Sequence, residues 1–246
     1  MIRALAVVVP ARDEEELLPG CLAALHRAVR HPGVRDLPSR VVVVADACRD
    51  ATAAVARRHG AELLEMAAGN VGAARAAGSR RALDATLAAR PGLGPDGVWL
   101  AHTDADSRVP AHWLAHQLAY AACGWHAVAG TVRIVDWTGH PKGAAAAFLR
   151  HYRHNPPGVG HRHVHGANLA VRADAYRAAG GFAPLPVGED RTLVAALEAG
   201  GYRVKRTTRN PVTTSARRDP RARGGFGDFL RDLDALTTEP GPGRRT

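Results

Sequence analysis

Short apolar runs rich in valine, leucine and alanine alternate along the chain with longer stretches in which apolar residues recur every three or four positions. Residues 5–9 read as a buried strand stopped by Pro10, because proline cannot donate to a central ladder. Residues 14–29 follow with Leu18, Leu22, Leu25 and Val29 on one helical stripe. Residues 41–45 read as a second strand and 50–59 as a helix ended by Gly60, a residue suited to a left-handed cap. Residues 61–64 make a weaker third strand, and Asn70 is the N-cap expected for a helix over 71–87. Residues 98–103 are the fourth strand, after which Pro110 is expected to open a helix in its first turn.

The second half predicts a strand over 127–134, a helix over 142–152, and then the polar loop "RHNPPGVGHRHVHG". A strand over 167–171, helices over 174–179 and 189–199, and strands over 202–206 and 212–215 follow. A helix over 226–236 is the last element expected before a disordered terminus, "TTEPGPGRRT". Buried-type strands alternating with helices imply an α/β fold, a mostly parallel central sheet covered on both faces. Ligands in such sheets sit beyond the carboxyl ends of the strands. "PARDEE", "DACRD" and "DADS" stand directly after the first, second and fourth strands, so all three are expected at one crevice.

At 246 residues and 46% hydrophobic content, the chain is long enough for one large domain or two small ones. Its formal net charge is +10, and only Lys142 and Lys205 are lysines, so the positive charge is almost all arginine. A guanidinium fork matches phosphate oxygens, which points to phosphate-bearing partners. Aromatic residues make up 5% of the sequence, too few for an obvious stacking platform, and no zinc-finger, RNA-recognition or basic-zipper motif occurs. Small phosphate compounds are therefore expected rather than nucleic acid. Cys21, Cys48 and Cys123 are far apart and form no CxxC pair. They indicate neither a disulfide framework nor a thiolate zinc site, and fit a reducing cytoplasm. The apolar run in "MIRALAVVVPARDEEE" is too short for a signal peptide or a membrane span.

In "WLAHTDADSR" an apolar run ends in two aspartates one residue apart. At strand-like spacing Asp104 and Asp106 point the same way and repel unless a cation lies between them or water hydrates both. A hard divalent ion with oxygen ligands, its remaining positions shared with substrate phosphates, is one solution. A solvated turn is the other.

Six blocks taken together resemble family 2 glycosyltransferases of the GT-A fold: "VVPARDEEELLPGCL", "VVVADACRDAT", "GNVGAARAAGSRRAL", "TDADS", "GANLAVRADAYRAAGGF" and "GEDRTLVAALEAGGYRV". The resemblance runs from about residue 5 to 215 and rests on the order and spacing of the blocks. It implies one GT-A domain over 1–216, with a Rossmann-like nucleotide-sugar-binding half at 1–107 and an acceptor half at 108–216. It also implies that Pro10, Ala11, Arg12 and Glu14 hold the nucleotide base, with Arg12 stacking on it as a planar cation. Asp46 would accept a hydrogen bond from the imide of a uracil-type base, against a plain turn or capping role for which Asp50 competes. Gly72 and Arg75 would approach the nucleotide from a helix start. Asp104, Ala105 and Asp106 form the DXD motif, with Asp104 at the ribose and Asp106, aided by Asp104, at a Mn²⁺ or Mg²⁺ ion that stabilises the departing nucleoside diphosphate. Asp190, with Glu189 beside it, would be the general base of an inverting transfer; the alternative is that both acids merely favour a helix N-terminal dipole.

His165, Gly166 and Asn168 are the acceptor-side candidates. Some relatives complete the metal shell with a late histidine, whereas here the last is His165, so the third protein ligand is missing or replaced by water and phosphate. The Arg/Gly-rich segment 217–246, including Arg217, Arg218, Arg221 and Arg223, is either a lid over the diphosphate or a solvated tail. His151, His154, His161, His163 and His165 crowd one loop, but no acid or cysteine accompanies them, so acceptor-side lining or plain surface is expected ahead of zinc. Trp137 and Tyr152 offer an apolar face for a sugar or simple core packing.

Two other classes are weaker. A sugar-phosphate nucleotidyltransferase typically carries a glycine-rich basic loop after its first strand, and "PARDEEE" lacks glycine. A non-catalytic nucleic-acid binder leaves the ordered acids unexplained, since these repel a phosphate backbone. The expectation is a cytoplasmic, metal-dependent glycosyltransferase that moves a hexosyl or N-acetylhexosaminyl group from a nucleoside-diphosphate sugar, UDP-linked by preference, to a hydroxyl or amine.

Overall fold

Strand β1 (Ala4–Ala11) sends Leu5, Val7 and Val9 into one apolar core and Ala4, Ala6 and Val8 into another. This is the two-residue period of an extended chain buried on both faces, which is why its sequence is continuously apolar. The computed structural model describes residues 1–153, 161–219, 221 and 224–238; His154, Arg223 and residues 239–246 lie outside the described residues. The other strands are β2 (Ser39–Asp46), β3 (Glu62–Met66), β4 (Val98–His102), β5 (Ala127–Arg133), β6 (Leu169–Arg172) and β7 (Val204–Thr213). They form one sheet in the order β3-β2-β1-β4-β6-β5-β7.

Strands β1 to β4 are mutually parallel, β6 runs antiparallel to β4 and β5, and β7 is parallel to β5. The mixed α/β sheet is thus mostly parallel, as the sequence predicts. The chain steps outward from β1 to β2 and β3 and then returns to β4 on the other side of β1. That reversal of winding opens a crevice beyond the carboxyl ends of β1 and β4. Because β6 is reversed, its start rather than its end faces the same rim, with Leu169 paired to both His102 and Ala129.

Helices α1 (Leu18–Val29), α2 (Thr52–Arg58) and α4 (Trp113–Ala122) cover one face, and α3 (Val71–Ala88), α6 (Ala173–Ala178) and α7 (Glu189–Ala199) the other. Asn70 caps α3 by accepting the amide of Ala73 at 2.9 Å. Helix α3 can lie close to the sheet because Gly78 has no side chain; a Cβ there would stand 2.5 Å from Val8 and 2.6 Å from Val44. A third, smaller core joins α5 (Ala144–Arg153) to α8 (Phe226–Thr238) through Phe148, Leu230 and Leu233, with Trp137 packed against it. No helix among the described residues is long and apolar enough to cross a membrane.

The structure corrects four local expectations. Helix α1 starts at Leu18 rather than at residue 14, because the acids before it are engaged elsewhere: the amide of Glu14 donates to Thr52 Oγ1 at 2.7 Å and that of Glu15 to Asp50 at 2.9 Å. Helix α4 starts at Trp113, after a turn in which the Trp113 amide donates to the Pro110 carbonyl. The strands expected at 202–206 and 212–215 are a single β7, with an irregular register opposite Gly130 and Val132. Its place at the sheet edge tolerates Pro211. Finally, β4 ends at His102, so Asp104 and Asp106 occupy a turn rather than a strand extension.

Candidate active site

A cavity of about 660 Å³ opens at the rim that the topology defines, a size ordinary for a small-molecule site. From the ends of β1 and β2 come Pro10, Ala11, Arg12, Glu14 and Asp46; the turn after β4 supplies Asp104, Ala105 and Asp106. Arg75 enters from the first turns of α3, His165 and Gly166 from the approach to β6, and Glu189 and Asp190 from the start of α7. Gly72 and Asn168 do not line it.

Gly72 is small for a different reason. A Cβ at that position would meet the Ala183 carbonyl oxygen at 2.2 Å and Leu185 backbone atoms at 2.7 Å, so the glycine admits a neighbouring loop and not a ligand. Asn168 is buried with its amide saturated: Oδ1 accepts Trp113 Nε1 at 2.9 Å, and Nδ2 donates to the carbonyls of Thr131 and Asn210. It fixes the start of β6 to β5 and β7.

The two aspartates of the turn after β4 are claimed by different arginines. Asp104 pairs with Arg75, whose Nε also donates to Glu189 at 3.0 Å and whose Nη1 donates to the Gly166 carbonyl at 3.1 Å. The Arg75 side chain is 3% exposed and Glu189 6%, so this guanidinium ties α3, β4, the approach to β6 and α7 together inside the protein. Burial disfavours its cation, but Asp104, Glu189 and Asp190 outweigh that and hold its pKa above the usual arginine value. Gly166 has no side chain because a Cβ would stand 2.3 Å from the Arg75 guanidinium.

Asp106 turns the other way. Its Oδ2 and Glu14 Oε1 meet a single nitrogen, Arg217 Nη2, at 2.8 and 2.6 Å. Asp106 Oδ1 lies 3.1 Å from Ser107 Oγ and 3.3 Å from Thr214 Oγ1. Burial pushes the Glu14 carboxyl up to about 7, against the opposing charge of Arg217. Arg217 comes to this place because Arg108 and Thr213 exchange backbone hydrogen bonds, at 2.7 and 3.1 Å, laying the chain after β7 against the aspartate turn. The strand-like picture of two parallel carboxylates sharing one ion therefore gives way to two separately neutralised acids.

Asp46 accepts the amides of Ala68, Gly69 and Asn70 at 2.7–2.9 Å, holding the loop that leads into α3. Asp190 accepts the Gly166 amide at 2.8 Å and the Arg191 amide at 2.7 Å. Its neighbour Glu189 is raised by burial although Arg75 opposes this. Beyond Asp190, Tyr152 lies in ring contact with His163, centroids 4.1 Å apart, and its hydroxyl meets His165 Nε2. Burial above all, with the nearby histidines and Arg191 acting the same way, pushes His165 down to about 3, which keeps it neutral.

His161 is buried between the carbonyls of Ala129 and Thr207, both 3.1 Å from Nε2. These histidines stack or bind backbone, and among the described residues they form no metal cluster. Asp13, Cys48 and Asp50 do bring three donor atoms within 4.8 Å, but Asp50 caps Thr52 and holds the Glu15 amide, which is turn chemistry. Trp137 packs in the third core, whereas Tyr152 both packs there and faces the cavity. Arg191, missed as a site residue though it follows directly in "GEDR", also faces the cavity, and so do Ser215 and Arg221.

A family model for glycosyl transferase family 2 matches residues 6–179. The chain belongs to glycosyl transferase family 2. No curated protein matches the sequence of this family 2 member. Among solved structures it is similar to TarS 1-349 from S. aureus in complex with UDP-GlcNAc, at 15% identity and TM-score 0.63, over 95% of this chain and 66% of that one. It is also similar to the mannosyltransferase PcManGT from Pyrobaculum calidifontis with GDP-Man and Mn²⁺, at 20% identity and TM-score 0.58, over 96% of this chain and 63% of that one. A third is glucosyl-3-phosphoglycerate synthase from Mycobacterium tuberculosis with Mn²⁺, UDP and glucosyl-3-phosphoglycerate, at 17% identity and TM-score 0.56, over 96% and 77%. The chain thus spans less than two thirds of the length of the first two, and all three share its GT-A fold.

Proposed function

We propose that the protein transfers a sugar, hexosyl or N-acetylhexosaminyl, from a nucleoside-diphosphate sugar, UDP-linked by preference, to a hydroxyl or amine acceptor with inversion, and that Asp190 is the general base. The observation that carries this reading is the meeting of Asp46, Asp106 and Asp190, from three separate strand-helix units, around one cavity at the sheet's switch point. The complexes of TarS with UDP-GlcNAc, PcManGT with GDP-Man and the mycobacterial synthase with UDP support the donor class.

On the donor side, Asp46 Oδ1 accepts two amides and Oδ2 one, which leaves Oδ2 a lone pair for the imide N–H of a uracil. Arg12 lines the same end as a planar cation. Asp104 gives Oδ1 to Arg75 and turns Oδ2 to a ribose hydroxyl. Asp106 and Glu14 fit a divalent cation: their hard oxygens already converge on one positive nitrogen. Such an ion, Mn²⁺ or Mg²⁺, supplies Lewis-acid neutralisation of the departing diphosphate.

Asp190 receives the acceptor's proton as the acceptor oxygen or nitrogen bonds to the anomeric carbon and the bond from that carbon to the phosphate oxygen breaks. The amides of Gly166 and Arg191 orient its carboxylate, and Arg75 fixes Gly166 and Glu189 behind it. The test combines a thermal-shift screen of UDP-, GDP- and dTDP-sugars, with and without Mn²⁺, and two variants. Asp190→Asn keeps the donor-induced shift but loses about 10²–10⁴-fold in transfer, whereas Asp106→Ala loses the metal-dependent part of the shift. Unchanged turnover in Asp190→Asn removes that residue from its role.

A further inference from the structure

Arg217 stands out because it forms the positive charge at the place where a divalent ion would bind. Its Nη2 bridges Asp106 and Glu14, whose side chains are 18% and 7% exposed. Two carboxylates that converge on one point with little water between them repel each other, and a cation at that point relieves the repulsion whether or not a donor is present. The backbone leading into Arg217 is held at successive points, and the Arg217 amide itself donates to Ser215 Oγ at 3.2 Å. Thr213 is paired with Arg108, and the Ala216 carbonyl is held by His140 Nε2 at 2.6 Å. The side chain is therefore the part free to swing, and its planar fork suits phosphate oxygens.

We propose that Arg217 is a tethered counter-ion: it occupies the cation seat of Asp106 and Glu14 in the donor-free protein and yields that seat by moving onto the diphosphate, so that divalent cation and nucleotide bind synergistically. The inference rests on the donor-site reading given above. A divalent ion arriving alone meets a seat already neutralised and would strand a guanidinium beside a double positive charge. A diphosphate arriving with it gives that guanidinium a new anionic partner. Because binding linkage is reciprocal, the factor by which nucleotide tightens the ion equals the factor by which the ion tightens nucleotide.

The experiment titrates Mn²⁺ into the full chain with and without UDP, reading free Mn²⁺ by electron paramagnetic resonance, for the wild type, R217Q and R217K. Wild type is expected to bind Mn²⁺ weakly alone and about tenfold or more tighter with UDP. R217Q is expected to bind Mn²⁺ alone about tenfold tighter than wild type and to lose most of the coupling to UDP. R217K, which keeps a cation on the tether, stays near wild type. Adding Asp106→Asn to R217Q removes the gained Mn²⁺ binding, which locates the ion, and circular dichroism confirms that each variant is folded. Wild-type Mn²⁺ affinity in folded R217Q without UDP, or undiminished coupling in that variant, overturns the proposal while leaving the donor reading intact. A wild type that takes up neither UDP nor Mn²⁺ overturns both.

Discussion

The two walls of the cavity solve one electrostatic problem in different ways. On the α3–α7 side, the cation facing the acids is Arg75, rooted in a helix and bonded to Glu189, Asp104 and Gly166 within the protein. On the side formed after β7, it is Arg217, a partly exposed residue on a connecting segment whose guanidinium pairs with the carboxylates of Glu14 and Asp106. The first arrangement fixes geometry, because moving Arg75 would break contacts to three elements at once. The second holds a charge that a ligand can replace. The proposed transfer would use both, the rigid wall to orient Asp190 and the other wall to exchange a counter-ion for the donor.

The largest effect that separates the two walls is on stability. Arg75→Met should cost about 3–5 kcal/mol, since it leaves Glu189 buried without its cation and strips the Gly166 carbonyl of its donor. Arg217→Ala should cost less, about 1–2 kcal/mol, because Asp106 keeps some solvent access and Glu14, pushed up to about 7, can take a proton in place of its cation. Urea unfolding followed by circular dichroism measures both. Equal losses in the two variants would erase the distinction between a structural and an exchangeable arginine.

Next in size is Gly166→Ala. Its Cβ would stand 2.3 Å from Arg75 Nη2, and this guanidinium is pinned by two carboxylates, so something must shift. A loss of about 1–3 kcal/mol is expected, together with a fall in transfer rate, because the same residue's amide orients Asp190. A stability loss with kcat unchanged would show that Asp190 does not depend on this wall for its position.

The rigid wall was also the more legible one. Local rules place its elements: Asn70 caps α3 as its side chain dictates, and α7 begins at the Glu189-Asp190 pair that favours a helix N-terminus. What local rules do not carry is the partner of each charge. Nothing near Asp104 in sequence announces that a helix 29 residues earlier holds it, and Asp106 is claimed from 111 residues away. Gly72 and Asn168 misled for the same reason. A small residue or an amide beside a motif looks like ligand contact, whereas here the Ala183–Leu185 backbone and the Trp113 ring occupy those positions. The late start of α1 is again non-local, set by Thr52 and Asp50 reaching across from the next loop.

The smallest expected effect concerns how firmly the exchangeable wall is held, and it depends on pH. His140 Nδ1 lies 2.9 Å from Asp234 Oδ1 in α8 and its Nε2 2.6 Å from the Ala216 carbonyl, next to Arg217. Both partners are acceptors, so only the doubly protonated imidazolium satisfies both. Burial lowers its pKa, but Asp234 and the carbonyl outweigh that and raise it above 6.5. A raised folded-state pKa contributes stability that is complete below pH 6.5 and is lost as pH rises through the folded value. Amide hydrogen exchange, corrected for its intrinsic pH dependence, should therefore show residues 226–235 opening more readily at pH 9 than at pH 6, while α3 changes little. His140→Gln should flatten that dependence and leave α8 equally open at both values. If α8 of the wild type is equally protected at pH 6 and pH 9, the imidazolium does not hold this wall, and Arg217 keeps its place through Asp106 and Glu14 alone.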